Sequence, residues 1–306
     1  MKKKLVLYGN CQIGIISRLF HLLYTDVLSI FNMTQVQKIK DTSYFRQVSP
    51  TLKDADFIIL QNIQLPDKDP FVHVLQSIPP HAKIIFIDSL YVTFYHPELI
   101  KLSNIASFKM GMLHDANVLK AFIQNIPLEK FFNIDPFYES SFYDHKIYHK
   151  KYSESLAELE KRQNILFSKK AALNIENKSF HIDIAPFIKE RFIKSKTISW
   201  ADHNHPRLDV FKFIITNLLK IMNLPDRIDL IDKTYNLYNF QNIHRPPYAS
   251  TVEFFNLKSN NKEMLYSLGS AYKGVSREKY VHNAYEHYKT LNKDNLEKIC
   301  QSRLLM

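Results

Sequence analysis

Short apolar runs alternate with amphipathic stretches over the first ninety residues. Leu5 to Tyr8 is apolar and ends in Gly9-Asn10, after which Ile13, Ile16, Phe20 and Leu23 recur at helical spacing. This predicts strand, tight turn and helix. Val27 to Phe31, Phe57 to Leu60 and Ile84 to Ile87 read as further strands, the last two preceded by Lys53-Asp54-Ala55-Asp56 and Pro79-Pro80. Between them Pro70 to Ser77 reads as a helix. Strands alternating with helices imply an α/β fold, a largely parallel sheet flanked by helices, with ligands beyond the carboxyl ends of the strands. The turn after Tyr8 is at such an end.

From Asn133 to Tyr152 the pattern dissolves into Tyr138, Phe142, Tyr143, Tyr148 and Tyr152 with His145, Lys146, His149, Lys150 and Lys151 interleaved. We read 133–152 as a candidate loop or lid. Ser155 with Glu158 has the spacing of a capping box, opening a charged helix that runs to about Ala172. Thr197 to Trp200 reads as a short strand leading into Asp202-His203-Asn204-His205-Pro206. A long helix follows, with Leu208, Phe211, Ile215, Leu218 and Met222 on one face and the proline in its first turn. Helices are expected again near Arg277 to Leu291 and Asp294 to Leu304. The chain thus divides into an α/β domain over 1–224 and a mostly helical C-terminal extension over 225–306.

Composition adds exclusions. At 45% hydrophobic and 23% charged residues in 306, the chain can bury a sizeable core, which excludes wholesale disorder. No apolar stretch approaches the roughly 18 residues of a membrane span. Met1-Lys2-Lys3-Lys4 before Leu5 resembles the opening of a secretory signal, but Gly9-Asn10-Cys11-Gln12 interrupts the apolar segment and no small-residue cleavage site follows. A lipoprotein signal fails because Asn10 precedes Cys11. We therefore expect a mature N-terminus and a cytoplasmic protein, with the inner face of the membrane as a peripheral location. The two cysteines, Cys11 and Cys300, make no disulfide framework, and Cys300 is expected to be buried in a terminal helix. The net charge of +11, from 41 Lys and Arg against 30 Asp and Glu, is spread along the chain rather than gathered in one arm. It supports attraction to phosphates, not a specific nucleic-acid partner.

Two segments carry candidate chemistry. A cysteine at a strand-to-helix turn lies where backbone N–H groups and the helix dipole stabilise a thiolate or an oxyanion. Cys11 has that placement, with Asn10 and Gln12 beside it, and the alternative is a small buried structural cysteine. In the second segment Asp202 stands three residues before His205, a spacing that lets a carboxylate orient an imidazole. The alternatives there are a solvated loop closed by local turn bonds, or a metal held by His203 and His205 from one side of an extended segment. No third ligand is evident, so no metal is expected. Gln61-Asn62, after the third strand, offers amides to the same crevice or simply ends the strand. His96-Pro97-Glu98 and His114-Asp115 read as hydrogen-bonded structural groups.

Gly9-Asn10-Cys11-Gln12 at the end of a first strand, Gln61 after the third, and Asn204-His205-Pro206 before a long helix together resemble the WcbI family of capsular polysaccharide biosynthesis proteins, over Leu5 to about Met222. The family is associated with coenzyme A and with a proposed acetyltransferase role. The resemblance implies an acyl-CoA-dependent O-acyltransferase, transferring acetyl or a related group from coenzyme A to a nucleotide sugar or glycan acceptor. His205 would be the general base; Asp202, its orienting acid by spacing, is not part of the family pattern. Cys11 would serve as a transient acyl acceptor or through its backbone N–H, and Gly9, Asn10, Gln12, Gln61 and Asn204 would line the site. The alternatives are an acyl-ester hydrolase of the SGNH type using the same groups with water, and a non-catalytic glycan- or nucleic-acid-binding protein using the aromatic-basic loop.

Overall fold

The structure, a computed structural model, describes residues 1–33, 39, 43–63, 74–102, 113–133, 145–238, 243–244, 248–256, 267–268 and 274–304. Contacts group the chain into two compact units. One comprises Met1–Leu90, Leu156–Glu190 and Arg207–Phe240, the other Tyr91–Ser155, Arg191–Pro206 and Gln241–Met306.

The first unit is built on a five-stranded parallel sheet. It begins β1 (Lys3–Tyr8), α1 (Cys11–Leu23), β2 (Leu28–Asn32), α2 (Ser43–Lys53), β3 (Phe57–Asn62) and β4 (Lys83–Asp88), and its fifth strand is Ser179–Ile182. The spatial order is β2, β1, β3, β4, Ser179–Ile182. Tyr8, Leu60, Phe86 and His181 stand at one level across four neighbouring strands. Successive residues Leu5, Val6 and Leu7, and again Ile58, Ile59 and Leu60, have no exposed surface, so both faces of these strands are covered. A strand buried on both faces needs an unbroken apolar run, which is why these strands show as runs rather than alternations.

Phe45, Val48 and Leu52 of α2 pack on Val6, Ile58 and Ile84, joined by Leu166 of the helix His145–Ala172. α1 buries Ile13, Ile16, Leu19, Phe20 and Leu23, close to the expected stripe. Its last turn is closed by Arg227, which donates to the Leu23 carbonyl and grips Asp26 through two nitrogens at 2.8 and 2.6 Å. A guanidinium at a helix C-terminus satisfies a carbonyl that has no partner within the helix. The helix Leu208–Met222 buries Phe211, Ile215, Leu218 and Met222 as expected, and ends at Asn223 in the left-handed conformation, φ 53°.

Several expectations change. The strand Ser179–Ile182 carries too short an apolar signal, Ser-Phe-His-Ile, to stand out. The helix of the Ser155 capping signal starts ten residues earlier, at His145. Ser155 Oγ instead accepts from the Thr93 backbone N–H at 3.3 Å. Residues 145–152 of the expected lid are therefore helical, while 134–144, with Tyr138, Phe142 and Tyr143, lie outside the described residues. Burial explains the difference: Tyr148 is fully enclosed, its hydroxyl 2.7 Å from Thr251 Oγ1 and 3.1 Å from Ser250 Oγ. Burial also pushes that phenol up to about 12, so it acts as a neutral hydrogen-bonding group. Tyr152 stacks on Phe192 with ring centroids 4.2 Å apart. Tyr148 is thus part of the core, and Tyr152 is half-buried. Of the expected helix Pro70 to Ser77, 74–76 are helical and 70–73 lie outside the described residues.

In the second unit, Leu99–Lys101 and Leu113–Asp115 form an antiparallel hairpin. Asp115 Oδ1 then accepts from the N–H groups of Asn117 and Val118, opening the helix Ala116–Ile123. Its Oδ2 accepts from Tyr248 Oη at 2.6 Å and from Arg277 at 3.1 Å, all three groups buried. The helices Arg277–Lys289 and Lys293–Leu304 pack on Ala116–Ile123 through Leu119, Val281, Ala284 and Leu296. Cys300 falls in the last helix, its side chain outside the described residues. Trp200–Asp202 pairs antiparallel with His205–Pro206. Pro206 therefore ends a short strand instead of starting a helix, which opens at Leu208 with Arg207 as its N-cap. Among the described residues no helix is long and apolar enough to cross a membrane.

Ile58 sits where both sheet faces are sealed, so Ile58→Ala should leave a cavity that its strand neighbours cannot fill. The expected loss is about 2–5 kcal/mol. Urea unfolding checks it, with the midpoint falling and the slope unchanged.

Candidate active site

The first candidate turn sits where the sheet changes direction. From β1 the chain passes to β2 on one side and later to β3 on the other, so the carboxyl ends of β1 and β3 flank a crevice of the kind in which parallel α/β sheets bind ligands. Gly9-Asn10-Cys11-Gln12 occupies the end of β1 and Gln61 that of β3. Gly9 is required by space: a Cβ there would lie 2.4 Å from Ile13 Cγ1 and 2.8 Å from both Gln61 Cβ and Oε1.

That close approach lets Gln61 Oε1 accept from the Asn10 backbone N–H at 3.1 Å. Asn10 Oδ1 in turn accepts from Gln12 N at 2.8 Å, the usual N-cap bond. Gln61 Nε2 donates to Gln12 Oε1 at 2.5 Å, and Gln12 holds the backbone of Leu90 through both amide atoms, at 3.2 and 3.3 Å. Gln12 and Gln61 are 2% and 1% exposed. What their amides do directly is fix the turn. Cys11, at the first helical position, is exposed, unlike the small buried cysteine of the structural alternative.

The second candidate turn lies in the second unit. Asp202 Oδ1 accepts from the backbone N–H groups of Asn204 at 2.9 Å and His205 at 3.0 Å, and from His205 Nδ1 at 2.7 Å. The carboxylate is buried and the imidazole about one-quarter exposed. Three donors offset the cost of burying that charge. A carboxylate oxygen only accepts, so Nδ1 carries the proton and Nε2 the lone pair of the neutral ring. Among the described residues Nε2 has no hydrogen-bond partner. The arrangement holds the imidazole in one tautomer.

His203 departs from the extended-segment expectation. His203 and Asn204 form the tip between two antiparallel strands, so the alternation that would put His203 and His205 on one side is broken. His203 points inward, with Nε2 2.8 Å from the His96 carbonyl and Nδ1 3.4 Å from Tyr91 Oη. Among the described residues no three His, Cys, Asp or Glu side chains group to hold a metal. The other histidines named from the sequence are hydrogen-bonded structural groups: His96 Nδ1 meets Glu98 Oε1 at 3.1 Å and His114 Nδ1 meets Tyr288 Oη at 3.1 Å.

Comparison with known proteins now bears on these turns. The family model "Polysaccharide biosynthesis enzyme WcbI" matches residues 4–227, a span containing both. The chain belongs to the WcbI family. A solved structure described as WcbI, a novel polysaccharide biosynthesis enzyme, superposes with a TM-score of 0.78 at 16% identity, covering 99% of this chain and 95% of that one. At that identity the likeness shows the fold. Its description specifies the native protein without the disulfide bond between coenzyme A and one of its cysteines. No curated protein sequence matches.

Sequence reasoning missed a second acid–histidine pair, in the first unit. Asp88, fully buried at the end of β4, lies 2.8 Å from His181 Nε2 and also accepts from Gln163 Nε2 and the Ile184 N–H. Its partners are 75 to 96 residues away in sequence, and no local pattern reveals such a pair.

Two glycine substitutions test the first turn. Gly9→Ala should lower stability by about 1–3 kcal/mol through overpacking. Gly14→Ala, where an added Cβ meets nothing within 4 Å, should raise it by up to about 1 kcal/mol through helix propensity. Thermal unfolding of the two variants checks the contrast in sign.

Proposed function

We propose that this WcbI-family protein transfers an acyl group, acetyl first among the candidates, from coenzyme A to a hydroxyl of a nucleotide sugar or glycan acceptor in surface polysaccharide synthesis. The observation that carries the reading is the Asp202–His205 pair. An imidazole whose Nδ1 proton is held by a buried carboxylate has its Nε2 lone pair ready to take a proton from an alcohol. Nε2 removes the acceptor hydroxyl proton as the oxygen attacks the thioester carbonyl. The carbon–sulfur bond then breaks, and the proton passes from Nε2 to the departing coenzyme A thiolate. Asp202 stabilises the imidazolium that exists between those events.

Cys11 supports the coenzyme A part of the reading. Its side chain is exposed at a helix N-terminus beside the crevice between β1 and β3, where backbone N–H groups and the helix dipole favour anionic groups such as phosphates or a developing oxyanion. The solved relative's description names a disulfide bond between coenzyme A and a cysteine of that protein, as one its native structure lacks. In the direct route the backbone at Cys11 stabilises the tetrahedral oxyanion. In the two-step route the Cys11 thiolate first takes the acyl group from coenzyme A, and the acceptor alkoxide then displaces it. The Gln61–Gln12–Asn10 bonds keep the turn in shape for either. We assign the reaction to the cytoplasmic side, where coenzyme A thioesters and nucleotide sugars are made.

Coenzyme A and acetyl-CoA should each raise the melting temperature, by an amount that keeps growing with the logarithm of ligand concentration once the site is saturated. Absence of any shift at millimolar ligand would overturn the coenzyme A assignment. His205→Ala should lower acetyl transfer by about two to four orders of magnitude with coenzyme A affinity nearly intact, the scale of general-base catalysis. A stable His205→Ala protein with wild-type turnover would remove His205 from the mechanism. Acetyl-CoA consumption with water alone, unaffected by glycan, would make the protein a hydrolase. Cys11→Ala separates the two routes, because only the two-step route loses all transfer without the thiol.

A further inference from the structure

We propose that His203 is a positioning residue for His205, pinning the hairpin turn that carries the Asp202–His205 pair to the segment 91–98 of the same unit. The inference rests on the reading of His205 as a general base. The bonds that Asp202 makes to Asn204 and His205 set the internal shape of the turn. The strand that enters the turn is held to that segment by Trp200, stacked on Tyr95 with ring centroids 5.6 Å apart.

His203 attaches the tip of the turn itself. Its ring is 4% exposed, with Nε2 donating to the His96 carbonyl at 2.8 Å, Nδ1 3.4 Å from the Tyr91 hydroxyl, and the Tyr91 ring edge-on at 5.7 Å. Its own carbonyl accepts from the Val92 N–H at 2.8 Å. The acceptor end is held as well. His96 and Glu98 are buried and 3.1 Å apart through Nδ1 and Oε1, and the His96 carbonyl also receives the Leu99 N–H at 3.1 Å.

Two histidines at neighbouring positions of one turn therefore hold opposite tautomers. A carbonyl oxygen can only accept, so His203 carries its proton on Nε2 and turns its Nδ1 lone pair toward Tyr91 Oη. His205, facing a carboxylate through Nδ1, keeps its lone pair on Nε2. The chain spends one imidazole as a buried anchor and presents the other. Precision at the second depends on the first, because a general base displaced by about 1 Å can lose up to about a hundredfold in rate.

The experiment compares His203→Leu, His203→Gln and His203→Asn with the wild type. The readouts are the low-field Nδ1 proton signal of His205, assigned by its loss in His205→Ala, together with kcat and KM for acetyl-CoA. Glutamine places an amide N–H near the position of Nε2 and should keep the signal and rescue turnover. Leucine and asparagine, without a donor there, should weaken the signal and lower kcat about ten- to a hundredfold with KM unchanged. A folded His203→Leu protein with unaltered signal and kcat would overturn the proposal. Should the leucine variant not fold, equal behaviour of the glutamine and asparagine variants would overturn it instead. If the wild type transfers no acyl group, the general-base reading fails separately, and the His205 signal alone decides the positioning role.

Discussion

At the end of β1 the backbone approaches its neighbours so closely that one added carbon at Gly9 would overlap Ile13 and Gln61. Everything at the first turn depends on that contact. Only because no side chain intervenes can Gln61, on the adjacent strand, reach back to the Asn10 N–H, meet Gln12, and through it hold the backbone at Leu90 after β4. The ends of three chain segments are thus tied by buried amides at the place where the sheet reverses its winding. Amides suit this task because each offers a donor and an acceptor without a charge to desolvate. Cys11 is exposed as a consequence of a geometry that the buried neighbours maintain.

The second unit solves a related problem with charge. Asp202 is buried, and its cost is met by two backbone N–H groups and an imidazole, which leaves that imidazole aimed and partly solvated. The contrast with Asp88 and His181 is informative because the pairing distance is nearly the same, 2.8 Å against 2.7 Å. Asp88 spends its second oxygen on Gln163 and Ile184, joining the helix His145–Ala172, β4 and the strand that ends at Ile182. Its histidine has 10% of its side chain exposed, where His205 has 25%. An acid–histidine pair by itself is therefore not a functional signature. The exposure of the imidazole separates the pair tied into the sheet from the more open pair at the hairpin turn.

The residues most visible in the chain were those whose environment matches their own chemistry. β1, β3 and β4 were legible because strands buried on both faces must be apolar throughout, and α1 and Leu208–Met222 because one buried face imposes a 3.6-residue stripe. The aromatic and basic residues near 145–152 misled for the opposite reason. Tyr, His and Lys carry polar tips on apolar bodies, and Tyr148 shows that such a residue can be wholly interior once Thr251 and Ser250, about a hundred residues on, receive its hydroxyl.

By itself the sequence determined the alternation of strands and helices that implies a parallel sheet, the glycine-led turn at its first strand, and the three-residue spacing that lets Asp202 reach His205. These depend on interactions within a few residues or on periodicity, both written along the chain. Tertiary structure alone decided that Ser179–Ile182 completes the sheet, that the amides of Gln12 and Gln61 face each other, and that His203 turns inward while His205 stays at the surface. Each of those outcomes is set by a partner between about fifty and just over a hundred residues away. Hydrogen-bond direction and burial exist only once the chain has brought such partners together, so identical histidines two residues apart acquire opposite tautomers and different tasks.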